Sequence, residues 1–151
     1  MKNDLMCVPL MALALPACAT APDLPRPEFV QRAAPPVGQA EIELLAGLSG
    51  RLAIVDGCLG VVPVSGGTNS FSTLVWPANA ELESVAAGWQ VRNRDTGDAI
   101  PLGRKISGSG GFAGQLDDAS LRQYNRMLTR KLSARCAAHG VFSLNRDFRP
   151  G

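Results

Sequence analysis

The chain has 151 residues, 15 of them basic and 13 acidic, for a formal net charge of +2. That length suits one small domain. So even a balance excludes recruitment of nucleic acid, or of any acidic partner, by bulk charge alone.

Lys2 is followed by an apolar run from Leu5 to Ala14, interrupted only by Pro9. Its length and flanks are those of an export signal, and it is shorter than the roughly 20 apolar residues that a membrane span needs. Leu15-Pro16-Ala17-Cys18 closes the run. This resembles the lipobox of bacterial lipoproteins, which are cut before a lipidated cysteine. The resemblance implies a signal peptide over 1–17, acylation of Cys18, and a permanent tether, because two or more acyl chains make attachment stable. Ala19 in place of aspartate implies the outer membrane, with the periplasmic or surface face left open. The other reading is an ordinary secretory signal cut near Ala17 or Ala19-Thr20-Ala21.

If Cys7 leaves with the signal and Cys18 takes lipid, Cys58 and Cys136 remain in an oxidising compartment, where a disulfide is expected. In the chain-entropy account such a bond stabilises by about 4 kcal/mol. Two buried thiols are the alternative. With His139 as the one histidine, these residues fall short of four tetrahedral ligands, so neither metal nor other cofactor is expected.

Residues 18–39 hold Pro22, Pro25, Pro27, Pro35 and Pro36. Proline lacks an amide donor and favours extended backbone, so this reads as a semi-stiff linker between the membrane and a domain over 40–151. Gln39 to Leu48 leans to a helical turn. Strands are expected over 51–55, 58–64, 71–76, 89–94 and 99–106, from β-branched bulk and alternation. Asp56-Gly57 and Asp95 to Asp98 are turn signals. Ser65 to Asn69 reads as a loop. Ala78 to Ala87 reads as a connector with a helical turn near Glu81 to Val85, and Ser107 to Gly114 as a glycine-rich loop.

The period then changes. Leu121, Tyr124, Leu128, Leu132 and Cys136 fall on one stripe of a helix over about 118–138. Asp117 and Asp118 suit its start, Arg135 and His139 its end, and Gly140 the residue just beyond. Val141 to Leu144 is a closing strand. The expected fold class is therefore mainly β with one long C-terminal helix (α+β): a small curled sheet or partly open OB-like barrel of five or six strands. Gly50-x-Leu52, Asp56-Gly57-Cys58-Leu59, Leu74-Val75-Trp76-Pro77, Thr96-Gly97, and Leu102-Gly103 leading to Gly110-Gly111 resemble small exported bacterial β-barrel proteins of uncharacterised function. That likeness implies a fold and no activity.

Gly108 to Ala113 matches G-x-G-x-x-A, but a dinucleotide site also needs a βαβ unit and an acid about 20 residues on. That region is basic here. Charge is unevenly spread: Glu41 to Asp98 holds seven acids against three bases, and Arg104 to Arg149 nine bases against three acids. The two halves attract each other within the fold, or the second presents a basic face. Arg122, Arg126, Arg130 and Lys131 are the candidate anion-binding face, on the helix side away from the apolar stripe.

No nucleophile elbow is present, and Asp56, Asp95 and Asp98 all sit in turns, so no catalytic residue is assigned. The expected role is a non-catalytic, lipid-anchored envelope protein that binds an envelope protein or anionic polymer, with no nucleic acid. The alternatives are an envelope hydrolase using turn carboxylates, or an immunity-type lipoprotein that neutralises a toxin.

Overall fold

The computed structural model describes residues 24–41, 43–64 and 70–151. The signal and lipobox, with Cys7 and Cys18, and the loop expected at 65–69 lie outside the described residues.

Strand alternation builds two cores from one wall. In β3 (Cys58–Pro63), β4 (Ser72–Trp76) and β9 (Val141–Leu144), the side chains of Leu59, Val61, Leu74, Trp76, Phe142 and Leu144 enter one cluster. Their neighbours Cys58, Val75 and Val141 enter another, on the opposite face. Side chains in a strand alternate, so a wall that is apolar on both faces must be covered on both. The inner cluster also takes Phe148, which is fully buried with its ring edge-on to Trp76 at 5.4 Å.

Pairing runs from β2 (Ala46–Val55) to β3, β4, β9, β8 (Lys105–Gly114) and back to β2. The β4–β9 ladder is parallel and the others antiparallel. Only two residue pairs join β3 to β4, Gly60 with Thr73 and Val61 with Ser72. The wall is therefore a curled, partly open, OB-like barrel. Two short strands flank it: β1 (Val30–Gln31) lies parallel to β4, and β10 (Arg149–Pro150) antiparallel to β8. A second sheet, β5 (Ala80–Val85), β6 (Gly88–Asn93) and β7 (Ala99–Pro101), packs Val91 and Ile100 onto the inner core. Buried Asn93 ties it to the tail by donating to the carbonyls of Arg146 and Phe148.

Several expectations are corrected. The connector at 78–87 contains strand β5, not a helical turn: Ala80 and Leu82 alternate with Glu81 and Glu83, and Glu83 pairs across the sheet with Arg92 at 2.6 Å. The strand expected over 99–106 is two strands. Pro101 has no donor and Gly103 takes φ +79°, so the chain turns a corner there from the small sheet to the barrel. The glycine-rich stretch after it is the body of β8, with a register shift between Phe112 and Gly114. A Cβ at Gly110 would strike the Ser143 carbonyl and the Phe142 ring, so glycine lets β9 approach closely. Ahead of β2, the described residues of 39–48 form no helix, and the strand itself starts at Ala46.

The long helix is also corrected. It is α1 (Asp118–Tyr124), a 3₁₀ turn over Asn125–Met127, an extended stretch, and α2 (Ala134–Ala137). Backbone partners supplied by β1 win over helix continuation. Ala33 donates to the Met127 carbonyl and Thr129 to that of Gln31, and Leu128 is extended at φ −107° and ψ 146°. The Asn125 side chain accepts from the Leu132 amide and donates to the Leu132 carbonyl, closing the break. Ser133 then starts α2 by accepting from the Cys136 amide. Leu121, Leu132 and Cys136 are nevertheless buried in the outer core. Gly140, two residues beyond the α2 cap at Ala138, takes φ +82°.

Candidate anion-binding site

The disulfide between Cys58 and Cys136 is present, with Cα atoms 5.6 Å apart. It fastens α2 to the start of β3, and both residues are fully buried. The segment expected to be linker contributes to the same region. Pro27, Phe29 and Val30 are buried, and the Glu28 amide donates to the Gly57 carbonyl at 2.7 Å. The Glu28 carboxylate reaches across and accepts from the Ser133 amide at 2.7 Å. One residue thus joins the incoming chain, the barrel edge and the start of α2.

Between these parts lies a cleft of about 440 Å³. It is lined by Pro25 to Val30, Gly57, Arg130, Lys131 and Arg135. Arg26, Arg130, Lys131 and Arg135 are all exposed. Glu28 is the one carboxylate in the lining. It is engaged by Ser133, and its contact with Arg135 is a loose 4.0 Å. Four cations against one carboxylate leave the cleft net positive over an apolar floor of Phe29 and Val30. Phosphate or carboxylate groups on a chain fit that arrangement, and guanidinium forks suit both.

Arg130 and Lys131, two of the expected anion-binding residues, are in this cleft. Arg122 in α1 and Arg126 in the 3₁₀ turn are exposed but do not line it, because the break in the helix ends the four-residue repeat. Arg26 and Arg135 replace them. Arg26 was missed because composition assigned it to a linker. The signal was Phe29-Val30, the one aromatic and β-branched pair in the proline-rich stretch.

The other candidate groups are engaged in structure. Asp56 pairs with His139 at 3.2 Å, and the His139 ring stands edge-on to Phe71. Asp95 accepts from Arg146 at 2.7 Å and from Asn79 at 2.9 Å. Asp98 accepts from the Thr96 hydroxyl. Arg92 and Gln90 hold the Glu83 carboxyl below its ordinary range, and the Ser120 amide does the same for Asp117. A general acid needs the opposite shift. Among the described residues, no three His, Cys, Asp or Glu side chains are grouped to share a metal ion. No described helix is long and apolar enough to cross a membrane.

A second hollow, of about 310 Å³, is apolar. Leu44, Phe112, Met127 and Leu128 line it, with Phe112 and Met127 exposed. Arg32 at its edge is already paired with Glu41 at 2.9 Å and donates to the Leu144 carbonyl. Burial raises the pKa of the Tyr124 phenol in the same hollow, and the neighbouring Ser143 hydroxyl and Arg32 cation act against it.

No protein-family model matches the chain, and no curated protein or solved structure matches it at a significant level.

Proposed function

We propose that this chain is a lipid-anchored cell-envelope protein whose β-domain binds an anionic envelope ligand without transforming it. The lipobox-like Leu15 to Cys18 supports the anchor, and the Cys58–Cys136 bond suits an exported, oxidising setting. One observation carries the binding reading: four cations, Arg26, Arg130, Lys131 and Arg135, meet around a cleft whose single carboxylate is already occupied. The structural engagement of Asp56, Asp95 and Asp98 weighs against the hydrolase alternative.

The test is calorimetric titration of the protein with a soluble polyphosphate at low and high salt. Binding should weaken steeply as salt rises. The triple variant R130Q/K131Q/R135Q should bind at least about tenfold more weakly, each lost cation removing on the order of 1 kcal/mol. Equal affinity for variant and parent would sink the proposal, as would breakdown of an anionic envelope polymer by the parent protein.

A protein partner is the second reading. The exposed Phe112 and Met127 beside the apolar hollow favour it. One stoichiometric protein lost on F112S, with no polyanion affinity, would decide for it.

A further inference from the structure

We infer that the basic cleft rests on the membrane that carries the anchor, and that its ligand is the phosphate of lipid headgroups. This rests on the lipid-anchor reading above and deepens it.

The argument starts from chain length. Composition suggested a spacer reaching to residue 39. The docking of Glu28 to Arg32 against β3, β4 and the broken helix ends that spacer early. From Cys18 to Glu28, the first residue hydrogen-bonded to the barrel, the chain runs ten residues. At the maximum reach of about 3.3–3.6 Å per residue they span roughly 35 Å. The domain is therefore held close to the bilayer.

Which face it turns to the bilayer follows from where the chain enters. Pro25 to Val30, the first turn of chain inside the domain, itself lines the cleft. The tether thus leads to Arg26, which lines the cleft together with Arg130, Lys131 and Arg135. Roughly 35 Å is the outer limit of that tether, so thermal swinging on it repeatedly brings these cations within a Debye length, about 10 Å at 0.1 M ionic strength, of anionic headgroups. A neighbouring hollow shares Arg26 and Arg130 and adds Arg94 and the carboxylate of Glu81. Arg51 in the middle of β2, with Arg104 and Lys105 at the start of β8, lines a separate hollow beside Ala99 to Pro101. They are the rival face and serve as the internal control.

The three lysines, Lys2, Lys105 and Lys131, make the test direct, because one of those in the mature chain lies in each basic region. Full mature protein, recovered with its lipid, is placed in phosphatidylcholine vesicles with or without phosphatidylglycerol. A water-soluble acylating reagent is added, and modification at Lys105 and Lys131 is followed by peptide mass spectrometry. Anionic lipid should slow modification of Lys131 by about fivefold or more, leave Lys105 unchanged, and lose its effect at high salt. Equal Lys131 rates in both vesicles overturn the proposal, as does protection of Lys105 instead.

A parallel sample in neutral vesicles receives soluble polyphosphate. Protection there, without protection by anionic lipid, sinks the membrane-facing orientation and leaves the anion-binding function standing. Protection in neither sinks both. A recovered protein with no lipid on Cys18 overturns the inference through its first step.

Discussion

The two faces of the barrel wall are held by different means. Inside, Leu52, Leu59, Val61, Leu74, Ile106 and Leu144 surround Trp76, with Phe29 stacked on it at 5.7 Å and Phe148 edge-on. Outside, regular structure is scarce. A two-residue strand, a broken helix and a four-residue helix are held by one disulfide, the Asn125 clamp, the Ser133 cap and the Glu28 carboxylate. The inner face draws on many small contributions from apolar burial, none of which needs a particular partner. The outer face buries a smaller apolar cluster, including Val30, Phe71, Val75, Leu121, Leu132 and Val141, and adds a few specific bonds to it. That is where the basic cleft is found.

The largest expected effect breaks the inner face. Trp76 is fully buried at the centre of its cluster. Trp76→Ala should destabilise by about 3–5 kcal/mol, the usual range for a large aromatic removed from a core. Urea denaturation followed by circular dichroism measures it. A loss below about 1 kcal/mol would mean that the barrel is not organised around this side chain.

The next effect tests whether the faces are separable. Replacing both Cys58 and Cys136 by alanine releases a link spanning 78 residues and should lower stability by about 2–4 kcal/mol. Amide exchange locates the loss. Protection should fall over residues 28–32 and 118–140 while β2 and β8 keep theirs. If β2 and β8 lose protection equally, the two faces form one cooperative unit and the contrast is wrong. Polyphosphate affinity should fall with the outer layer, because Glu28, Arg130 and Arg135 are positioned by it.

That contrast also explains what could be read in the sequence. Strand chemistry exposed much of the inner face: β3 was legible from the β-branched bulk of Val61 and Val62, and β6 from Trp89 and Val91 alternating with Gln90 and Arg92. The Asp56-Gly57 turn was also legible, with φ +51° and +77°, because few dipeptides tolerate that geometry. The disulfide followed from cysteine count and compartment. The outer layer was hidden for a physical reason. Leu121, Leu128, Leu132 and Cys136 do repeat at helical spacing, but local propensity was overridden by backbone partners on β1, a strand nearly a hundred residues earlier in the chain. Ser133, a strong helix starter in the middle of the supposed helix, was the local clue. Gly110 misled in the same way, since a glycine chosen for close approach of β9 looks like loop composition. Half of the cleft, Arg130 and Lys131, was visible as charge. The other half required knowing that Arg26 and Arg135 come together.

The smallest effect sharpens the comparison from the acid side. Asp117 starts α1 by accepting from the Ser120 amide at 2.8 Å, and that bond holds its carboxyl below the ordinary carboxylate range. A carboxyl with a depressed folded value stabilises wherever it is ionised, and the benefit is lost as pH falls through that value. The loss should therefore come below about pH 4, the ordinary aspartate value, with none between neutrality and there. Asp117→Asn separates charge from capping, because asparagine caps about as well as aspartate. The variant should match the parent in thermal melts at neutral pH and show a shallower fall in melting temperature on acidification. Glu83→Gln supplies the contrast, since Glu83 is also lowered but belongs to the small sheet, through Arg92 and Gln90. If acid loosens the outer layer first, Asp117→Asn should delay the rise in amide exchange over residues 118–140, and Glu83→Gln should not. Equal protection from both substitutions would show that acid unfolds the molecule as a whole, with no layer leading.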